Sequence, residues 1–275
     1  MYICGVINTQ RYFIELSYDG TNFHGWQIQK NAESIQEVLN NVLSTVYHQP
    51  VETTGCGRTD TGVHARQFFA HFDLAESPDQ KPQSTDTMLR STNALLPPSI
   101  AIKRIFPVPA DAHARFDATL RSYEYFIHFS KDPFKHGYSR ELRDLPDIEL
   151  MNQAADILME YTDFSCFSKS NTQVKTNNCK IASAAWHEIE NGIVFRISAD
   201  RFLRNMVRAI VGTLLMVGRK EIEPADVRKI IEEKDRSNAG TSVPACGLYL
   251  TEVTYPHAPS PRQLAGEFKS PIYFL

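Results

Sequence analysis

The most concentrated group of reactive side chains lies in a short glycine-rich segment. Residues 55–65 read GCGRTDTGVHA, which places Arg58 two residues before Asp60. At this spacing the two side chains point to the same side of an extended backbone, and a guanidinium beside a carboxylate favours the ionised carboxylate. An ionised Asp60 could act as a nucleophile or as a base. The same pattern also fits a tight turn closed by a hydrogen bond from the Asp60 side chain.

Other known motifs fit this segment less well. The Gly-Lys-Ser/Thr ending of a phosphate-binding loop is missing, and Asp60 stands where a dinucleotide-binding G-x-G-x-x-G needs its third glycine. The triplet Asp60-Thr61-Gly62 matches aspartic proteases, but no second Asp-Thr/Ser-Gly occurs, so only a symmetric dimer could supply the other aspartate. Cys56 and His64 could form a nucleophile–base pair, although nothing else in the sequence supports one.

A second set of candidate residues follows helical spacing near the carboxy-terminal end. Arg201, Arg204 and Arg208 are three and four residues apart, on a helix predicted over 202–217 that is otherwise apolar. A buried arginine needs an anionic partner. We therefore expect either a stripe exposed to water or a contact of Arg208 with Asp60 or a phosphate inside a cleft.

Basic and aromatic residues also occur together, which is typical of proteins that hold unpaired RNA. The basic groups are Lys103, Arg104, Arg115, Arg121 and then Lys169, Lys175, Lys180, with Tyr123, Tyr125, Phe164 and Phe167 between them. The alternative for the two tyrosines is a stripe that faces the core. Residues 144–168 contain several acids and neither Lys nor Arg, so we expect that surface to face away from a nucleic acid.

Composition limits the possible classes of protein. The chain has 275 residues and a net charge of −3, so a nucleic acid would have to meet a local basic surface. Its apolar runs are too short to cross a bilayer, and its first residues lack the pattern of a secretory leader. Five cysteines without a C-x-x-C pair argue against a disulfide framework or a zinc finger. We expect a cytoplasmic protein with free thiols.

The hydrophobic pattern predicts strands and helices that alternate in both halves of the chain. Ser34 and Glu37 form a capping box before a helix, Asn191-Gly192 predicts a hairpin, and Pro224 is predicted to open the last helix. The predicted strands cover 11–18, 51–54, 66–74, 100–105, 120–129, 184–189, 193–197 and 246–255; further helices cover 85–95 and 147–159. This order predicts two related α+β subdomains that share one antiparallel sheet.

Together these segments resemble tRNA pseudouridine synthases of the TruA type. The resemblance is carried by the Asp60 segment and by four further groups of motifs in the same order along the chain, from about Arg11 to Pro256. These motifs are YDGTNFHGWQ over 18–27, DAHARFDA and RSYEY over 111–125, DFSCF over 163–167, and FLRNMVR with GLYL over 202–208 and 247–250.

The resemblance implies a pseudouridine-synthase-like α+β fold with a mostly antiparallel central sheet and an active cleft between two subdomains. We expect an amino-terminal extension over 1–10, subdomains over 11–110 and 111–257, and a tail over 258–275. The family acts as a homodimer with RNA lying across both subunits.

The resemblance also implies a reaction. Uridine at positions 38–40 of the tRNA anticodon stem-loop becomes pseudouridine: the base is detached, rotated and rejoined through C5, without a metal or organic cofactor. By motif position Asp60 is the catalytic carboxylate, Arg208 pairs with it, and Tyr123 stacks on the target base. Arg58 helps to extrude the base, and Leu248 lines the pocket. The alternative is a catalytically inactive RNA-binding protein of the same fold.

Overall fold

The computed structural model describes residues 9–75, 83–168 and 176–256. The strands are β1 (Thr9–Tyr18), β2 (Thr54–Gly55), β3 (His64–Ala75), β4 (Ile100–Val108), β5 (Leu120–His128), β6 (Arg140–Glu141), β7 (Ile181–Ile189), β8 (Gly192–Ala199) and β9 (Leu248–Thr254). The helices are α1 (Ile35–Tyr47), α2 (Thr85–Leu95), α3 (Ile148–Leu158), α4 (Met206–Gly218) and α5 (Asp226–Glu233), with 3-10 turns at Ser165–Phe167 and Ala245–Gly247.

A single sheet runs through both halves of the described chain. Its main path has the order β4-β1-β3-β9-β5-β8-β7, with β2 paired to β3 and β6 to β5. The pairings are antiparallel except for β3 with β9 and the short β6 with β5. His64 lies opposite Tyr249 and Ala65 opposite Leu250, so β9 joins the two halves at the middle of the sheet. The predicted α+β class and mostly antiparallel sheet are confirmed.

Two hydrophobic clusters fill the interior. One joins β1, β3 and β4 to α1 and α2, and the other joins β5, β7 and β8 to α3, α4 and α5. Tyr123 packs against both clusters, which places it where the two halves meet. The subdomain limits at residues 110 and 111 stay a prediction.

Local signals in the sequence set several of these elements. Ser34 caps α1 by accepting a hydrogen bond from the Glu37 N–H at 3.3 Å, as one half of the predicted capping box requires. Asp147 caps α3 by accepting one from the Leu150 N–H at 3.2 Å. The predicted hairpin forms between β7 and β8: Ile189 pairs with Gly192, and Asn191 in the turn between them adopts a left-handed conformation.

Two predicted helix starts were wrong. Helix α4 begins at Met206 rather than Phe202, because Asn205 adopts a left-handed conformation with φ of 66° that no continuing helix allows. Arg201 and Arg204 therefore precede the helix, and the three arginines do not form a helical stripe. Helix α5 begins at Asp226, two residues after Pro224.

Smaller differences concern the strands. The strand predicted over 51–54 is reduced to Thr54–Gly55, the last strand begins after a 3-10 turn, and β6 was not predicted. Lys169, Lys175, most of the amino-terminal extension and the carboxy-terminal tail lie outside the described residues. Over the described ranges, none of the helices has the length and apolar character that a bilayer crossing requires.

Candidate active site

The segment that carries Asp60 connects β2 to β3 and is held from both sides. The Tyr18 hydroxyl lies 2.8 Å from the Thr59 hydroxyl, and the Trp26 N–H donates to the Thr59 carbonyl at 3.2 Å. Gly25 passes so close that a Cβ on it would lie 2.4 Å from the Thr59 oxygen, at a φ of 85°. The contacts around Thr59 therefore fix the backbone from which Asp60 projects.

The turn after Asp60 is closed by the backbone. The Val63 N–H donates to the Asp60 carbonyl oxygen at 3.1 Å, whereas among the described residues the Asp60 carboxylate receives no hydrogen bond. The sequence also fitted a turn closed by a hydrogen bond from the Asp60 side chain, and the structure does not have that hydrogen bond. The carboxylate is available for chemistry.

Two arginines flank the Asp60 carboxylate. Arg204 Nε lies 3.6 Å from Oδ1 and Arg208 Nη1 lies 3.7 Å from Oδ2, while the Asp60 side chain is 26% exposed. Two unit charges about 4 Å apart attract by about 1 kcal/mol in water and about 4 kcal/mol at the effective dielectric of a protein surface, before desolvation and salt screening reduce this. The arrangement places two positive charges beside a carboxylate that still has free lone pairs and is reached by solvent.

Arg208 is oriented by a second contact. It lies in the first turn of α4, where its Nε donates to the Val243 carbonyl at 2.7 Å and its own carbonyl accepts from the Val243 N–H at 3.2 Å. Arg208 Nη1 therefore faces Asp60, which is the contact that the sequence offered as one alternative for Arg208. Arg204 approaches from the turn before α4; the sequence named it, but gave no sign that it meets Asp60.

Tyr123 lies on β5 beside the same site. Its partly buried ring packs edge-on against Phe202, with ring centroids 5.1 Å apart and an interplanar angle of 88°. Burial raises the pKa of Tyr123 above its ordinary value, and the nearby Cys56 and Asp60 raise it further. The side chain is therefore a neutral, fixed aromatic surface.

Leu248 and Arg58 occupy different positions relative to this site. Leu248 is 5% exposed in the second hydrophobic cluster, opposite Tyr125 and two residues before Leu250, which pairs with Tyr123. Arg58 is exposed, and its side chain has no hydrogen bond or ion pair among the described residues. Leu248 thus belongs to the wall behind Tyr123, whereas Arg58 projects towards solvent.

The predicted basic residues do not form one surface. Three strands separate β4, which carries Lys103 and Arg104, from β5. Arg104 pairs with Glu15, and the Lys103 ammonium donates to the Arg66 carbonyl at 2.6 Å. Lys103 and Arg104 therefore make their contacts at the edge of the sheet and not at the Asp60 site.

Arg121 has a structural role close to Asp60. Its guanidinium donates to four backbone carbonyls, those of Cys56, Arg115, Ala118 and Asp200. It therefore ties the Asp60 segment to the turn before β5 and to the chain after β8. The sequence identified Arg121 only as one of several basic residues, because contacts with four backbone carbonyls cannot be read from residue spacing.

Three of the six acidic residues in the segment 144–168 form ion pairs with residues later in the chain. Lys220 lies 3.3 Å from Asp147, Lys234 lies 2.8 Å from Asp163, and Arg228 pairs with Glu160. These three carboxylates thus serve structural ion pairs.

The contacts of Cys56 and His64 do not support a nucleophile–base pair. Burial raises the pKa of the Cys56 thiol to about 11, and the Cys56 sulfur accepts from the Phe69 N–H at 3.5 Å. His64 Nδ1 lies 3.1 Å from Asp19 and accepts from the Gly20 N–H, and burial lowers the pKa of His64. In the parts of the chain that the structure describes, His, Cys, Asp and Glu side chains form no group of three that could hold a metal.

The fold and the site together define a class. A fixed carboxylate between two arginines, next to a neutral aromatic ring in a mostly antiparallel α+β fold, is suited to covalent or general-base chemistry on an anionic substrate that can stack. A family model described as tRNA pseudouridine synthase matches residues 16–117 and 154–256.

Individual relatives agree with that match. The chain is 52% identical to tRNA pseudouridine synthase A of Bacteroides thetaiotaomicron over 250 residues, which cover 90% of this chain and 91% of the relative. It is 51% identical to the protein of that name from Porphyromonas gingivalis over 90% and 97% of the two chains, and 36% identical to that from Clostridium acetobutylicum over 88% and 98%. The chain belongs to the tRNA pseudouridine synthase family and is an isomerase.

Proposed function

We propose that this enzyme converts uridine to pseudouridine at positions 38–40 of the tRNA anticodon stem-loop, with Asp60 as the catalytic carboxylate and without a metal or organic cofactor. The observation that carries the proposal is the placement of Asp60 at 3.6 and 3.7 Å from two guanidiniums, with its oxygens free of hydrogen bonds among the described residues. The choice of positions 38–40 rests on the resemblance of the sequence motifs.

The reaction is a balanced isomerisation. The bond between N1 and the sugar C1′ breaks, a bond between C5 and C1′ forms, the hydrogen on C5 leaves as a proton, and N1 gains a proton. No oxidant or reductant is required. An oxygen of Asp60 can form a transient bond either to C1′ or to the base, and both routes need an ionised carboxylate with a free lone pair.

The neighbouring residues supply orientation. Tyr123 presents a neutral ring on which the target base can stack, and Leu248 supports the apolar wall behind it. Arg208, with Nη1 3.7 Å from Asp60 Oδ2, orients the carboxylate. Arg58, exposed beside the site, can take the place that the extruded base leaves in the RNA, since a base must leave its stack before chemistry can reach it.

We further propose a homodimer in the cytoplasm, with the RNA lying across both subunits. With a net charge of −3, the chain can hold a polyanion only through local basic surface, and the exposed Arg58 guanidinium, two residues before Asp60, makes no ion pair among the described residues. The dimer rests on the family resemblance.

Tritium release from tRNA labelled with [5-³H]uridine tests the function, because bond formation at C5 expels that hydrogen. We expect release by the wild-type chain, none by Asp60→Ala, and tRNA binding by both. We also expect release to disappear from a tRNA in which the uridines at positions 38–40 are replaced by cytidine. Binding without release by the wild type would identify the non-catalytic RNA-binding protein instead, and release from the cytidine-substituted tRNA would place the target elsewhere.

A further inference from the structure

An exposed phenylalanine lies close to the Asp60 segment. Phe116 is 75% exposed, although the turn that carries it is firmly anchored. Ala114, two residues before Phe116, is fully buried. Its N–H donates to His71 Nδ1 at 3.1 Å, and its carbonyl accepts from the Tyr255 hydroxyl at 2.6 Å. An exposed aromatic ring on a fixed backbone loses little freedom when it binds a partner.

Contacts within the turn hold the ring in place. The His113 ring lies 4.2 Å from the Phe116 ring, and His113 Nδ1 accepts from the N–H groups of both Arg115 and Phe116. The Arg115 guanidinium lies over the Phe116 ring, 5.8 Å from its centroid. The ring is thus positioned by its neighbours while most of its surface faces solvent.

Guanidiniums gather near this ring. Arg121 donates to the carbonyl of Arg115 and to carbonyls of the segments that carry Arg58 and Arg201. Burial lowers the pKa of Arg115, and the charges of the other three arginines lower it further. The side chains of Arg58, Arg115 and Arg201 make no ion pair among the described residues, while the adjacent Asp117 carboxylate accepts from a backbone N–H of the same turn. The local excess of positive charge fits a site for a polyanion.

The cluster is joined to the active site by a direct contact. One nitrogen of Arg121 donates to the carbonyls of Cys56 at 2.9 Å and of Arg115 at 2.7 Å. Cys56 is four residues before Asp60, so the turn with Phe116 and the segment with Asp60 are fixed to each other. A nucleic acid held at the cluster would therefore have a defined position relative to Asp60.

We infer that Phe116 stacks on an unpaired base of the RNA outside the reacting nucleotide, while Arg115 and Arg201 contact the phosphates around that base. This rests on the proposed function, since the RNA is taken to be the enzyme's own tRNA substrate. RNA is favoured over a protein partner because an apolar ring beside guanidiniums that make no ion pair among the described residues matches the alternation of base and phosphate in a single strand.

The first test measures tRNA binding and steady-state kinetics for Phe116→Leu and Phe116→Tyr. Loss of base stacking should raise Kd and KM about 5- to 100-fold in Phe116→Leu. The tyrosine ring should restore both, and kcat should change less than about twofold in either variant because Phe116 does not touch the reacting base. Phe134→Leu is the matched control, since Phe134 is 91% exposed but takes part in no cation–π contact of the described chain.

The second test measures how Kd depends on salt. Arg115→Gln and Arg201→Gln should each lower the slope of log Kd against log salt concentration by about 0.7 to 0.9, the value for one lost phosphate contact. Arg196→Gln, which removes a guanidinium paired with Glu124 on the other side of β5, should leave the slope unchanged.

Distinct results would overturn the inference. Wild-type affinity in Phe116→Leu, equal losses in the leucine and tyrosine variants, or an equal loss in Phe134→Leu would each exclude a stacking site. Weaker self-association in sedimentation, with RNA affinity unchanged, would make Phe116 part of a protein interface. The binding measurements need no turnover, so a wild type that binds tRNA without releasing tritium would remove the proposed function and leave this inference to stand or fall on Kd alone.

Discussion

Asp60 and Glu124 are both carboxylates paired with two arginines, and they lie on opposite sides of the same sheet. Glu124 follows Tyr123 on β5, so its side chain points away from the face on which Tyr123 approaches Asp60. At Glu124, Arg196 Nε donates to one oxygen at 2.9 Å and Arg66 Nη1 to the other at 3.3 Å. At Asp60 the corresponding distances are 3.6 and 3.7 Å.

The two carboxylates differ in how far their lone pairs are used. Direct hydrogen bonds occupy lone pairs of Glu124, which is only 15% exposed, and link strands of the sheet. The longer contacts at Asp60 leave its oxygens without a hydrogen bond among the described residues. The number of arginines around a carboxylate is therefore less informative than whether they consume its lone pairs.

The largest effect of an arginine substitution is expected at Arg208. Lysine carries one point charge and cannot reach both the Val243 carbonyl and Asp60 as the guanidinium does. We expect Arg208→Lys to lower kcat about 10- to 100-fold with a smaller change in KM. Arg204→Lys is the control, since Arg204 is 62% exposed and should tolerate lysine with a loss of only about threefold. Equal losses in the two variants would show that charge alone, without orientation, is what Asp60 needs.

Substitutions of Tyr123 test whether its ring, beside Asp60, contributes by stacking on a base. Its hydroxyl has no hydrogen-bond partner among the described residues, and its ring is fixed by Phe202. Tyr123→Phe should therefore keep kcat/KM within about threefold, whereas Tyr123→Leu should lower it about 5- to 100-fold. A phenylalanine variant as impaired as the leucine variant would instead assign proton transfer to the hydroxyl.

The smallest effect on stability and turnover is expected from a substitution of Arg196, which pairs with Glu124. Arg196 is 53% exposed, and Glu124 keeps Arg66 when Arg196 is removed. Arg196→Ala should lower the free energy of unfolding in urea by less than about 1 kcal/mol and leave tritium release unchanged. A loss of turnover in a stably folded Arg196→Ala chain would mean that the two carboxylate sites are coupled.

The sequence predicted elements whose signals are local. The Ser34 cap, the Asn191-Gly192 hairpin and the helix over 85–95 all appear in the structure, because each depends on a few adjacent residues. The start of α4 was predicted too early because the apolar residues from Phe202 have helical spacing, whereas Asn205 adopts a left-handed conformation. That conformation is what brings Arg204 to Asp60 from outside the helix.

Contacts between distant segments were predictable only in part. The need of a buried arginine for an anionic partner gave a contact of Arg208 with Asp60 as one alternative, but neither the Val243 carbonyl that orients Arg208 nor the contacts of Arg121 have a sequence signature. The separation of Lys103 from the site follows from strand order, which the sequence does not contain. Exposure of an apolar residue such as Phe116 is likewise a property of the folded chain.

Single-turnover tritium release by Asp60→Asn and Glu124→Gln, measured in parallel on the same labelled tRNA, tests the central claim most directly. Both substitutions remove one charge from a carboxylate with two arginine neighbours, and both keep the size of the side chain. We expect the rate to fall at least about a thousandfold in Asp60→Asn and less than about threefold in Glu124→Gln. A folded, tRNA-binding Asp60→Asn chain that releases tritium at the wild-type rate would contradict the assignment of Asp60 as the catalytic carboxylate.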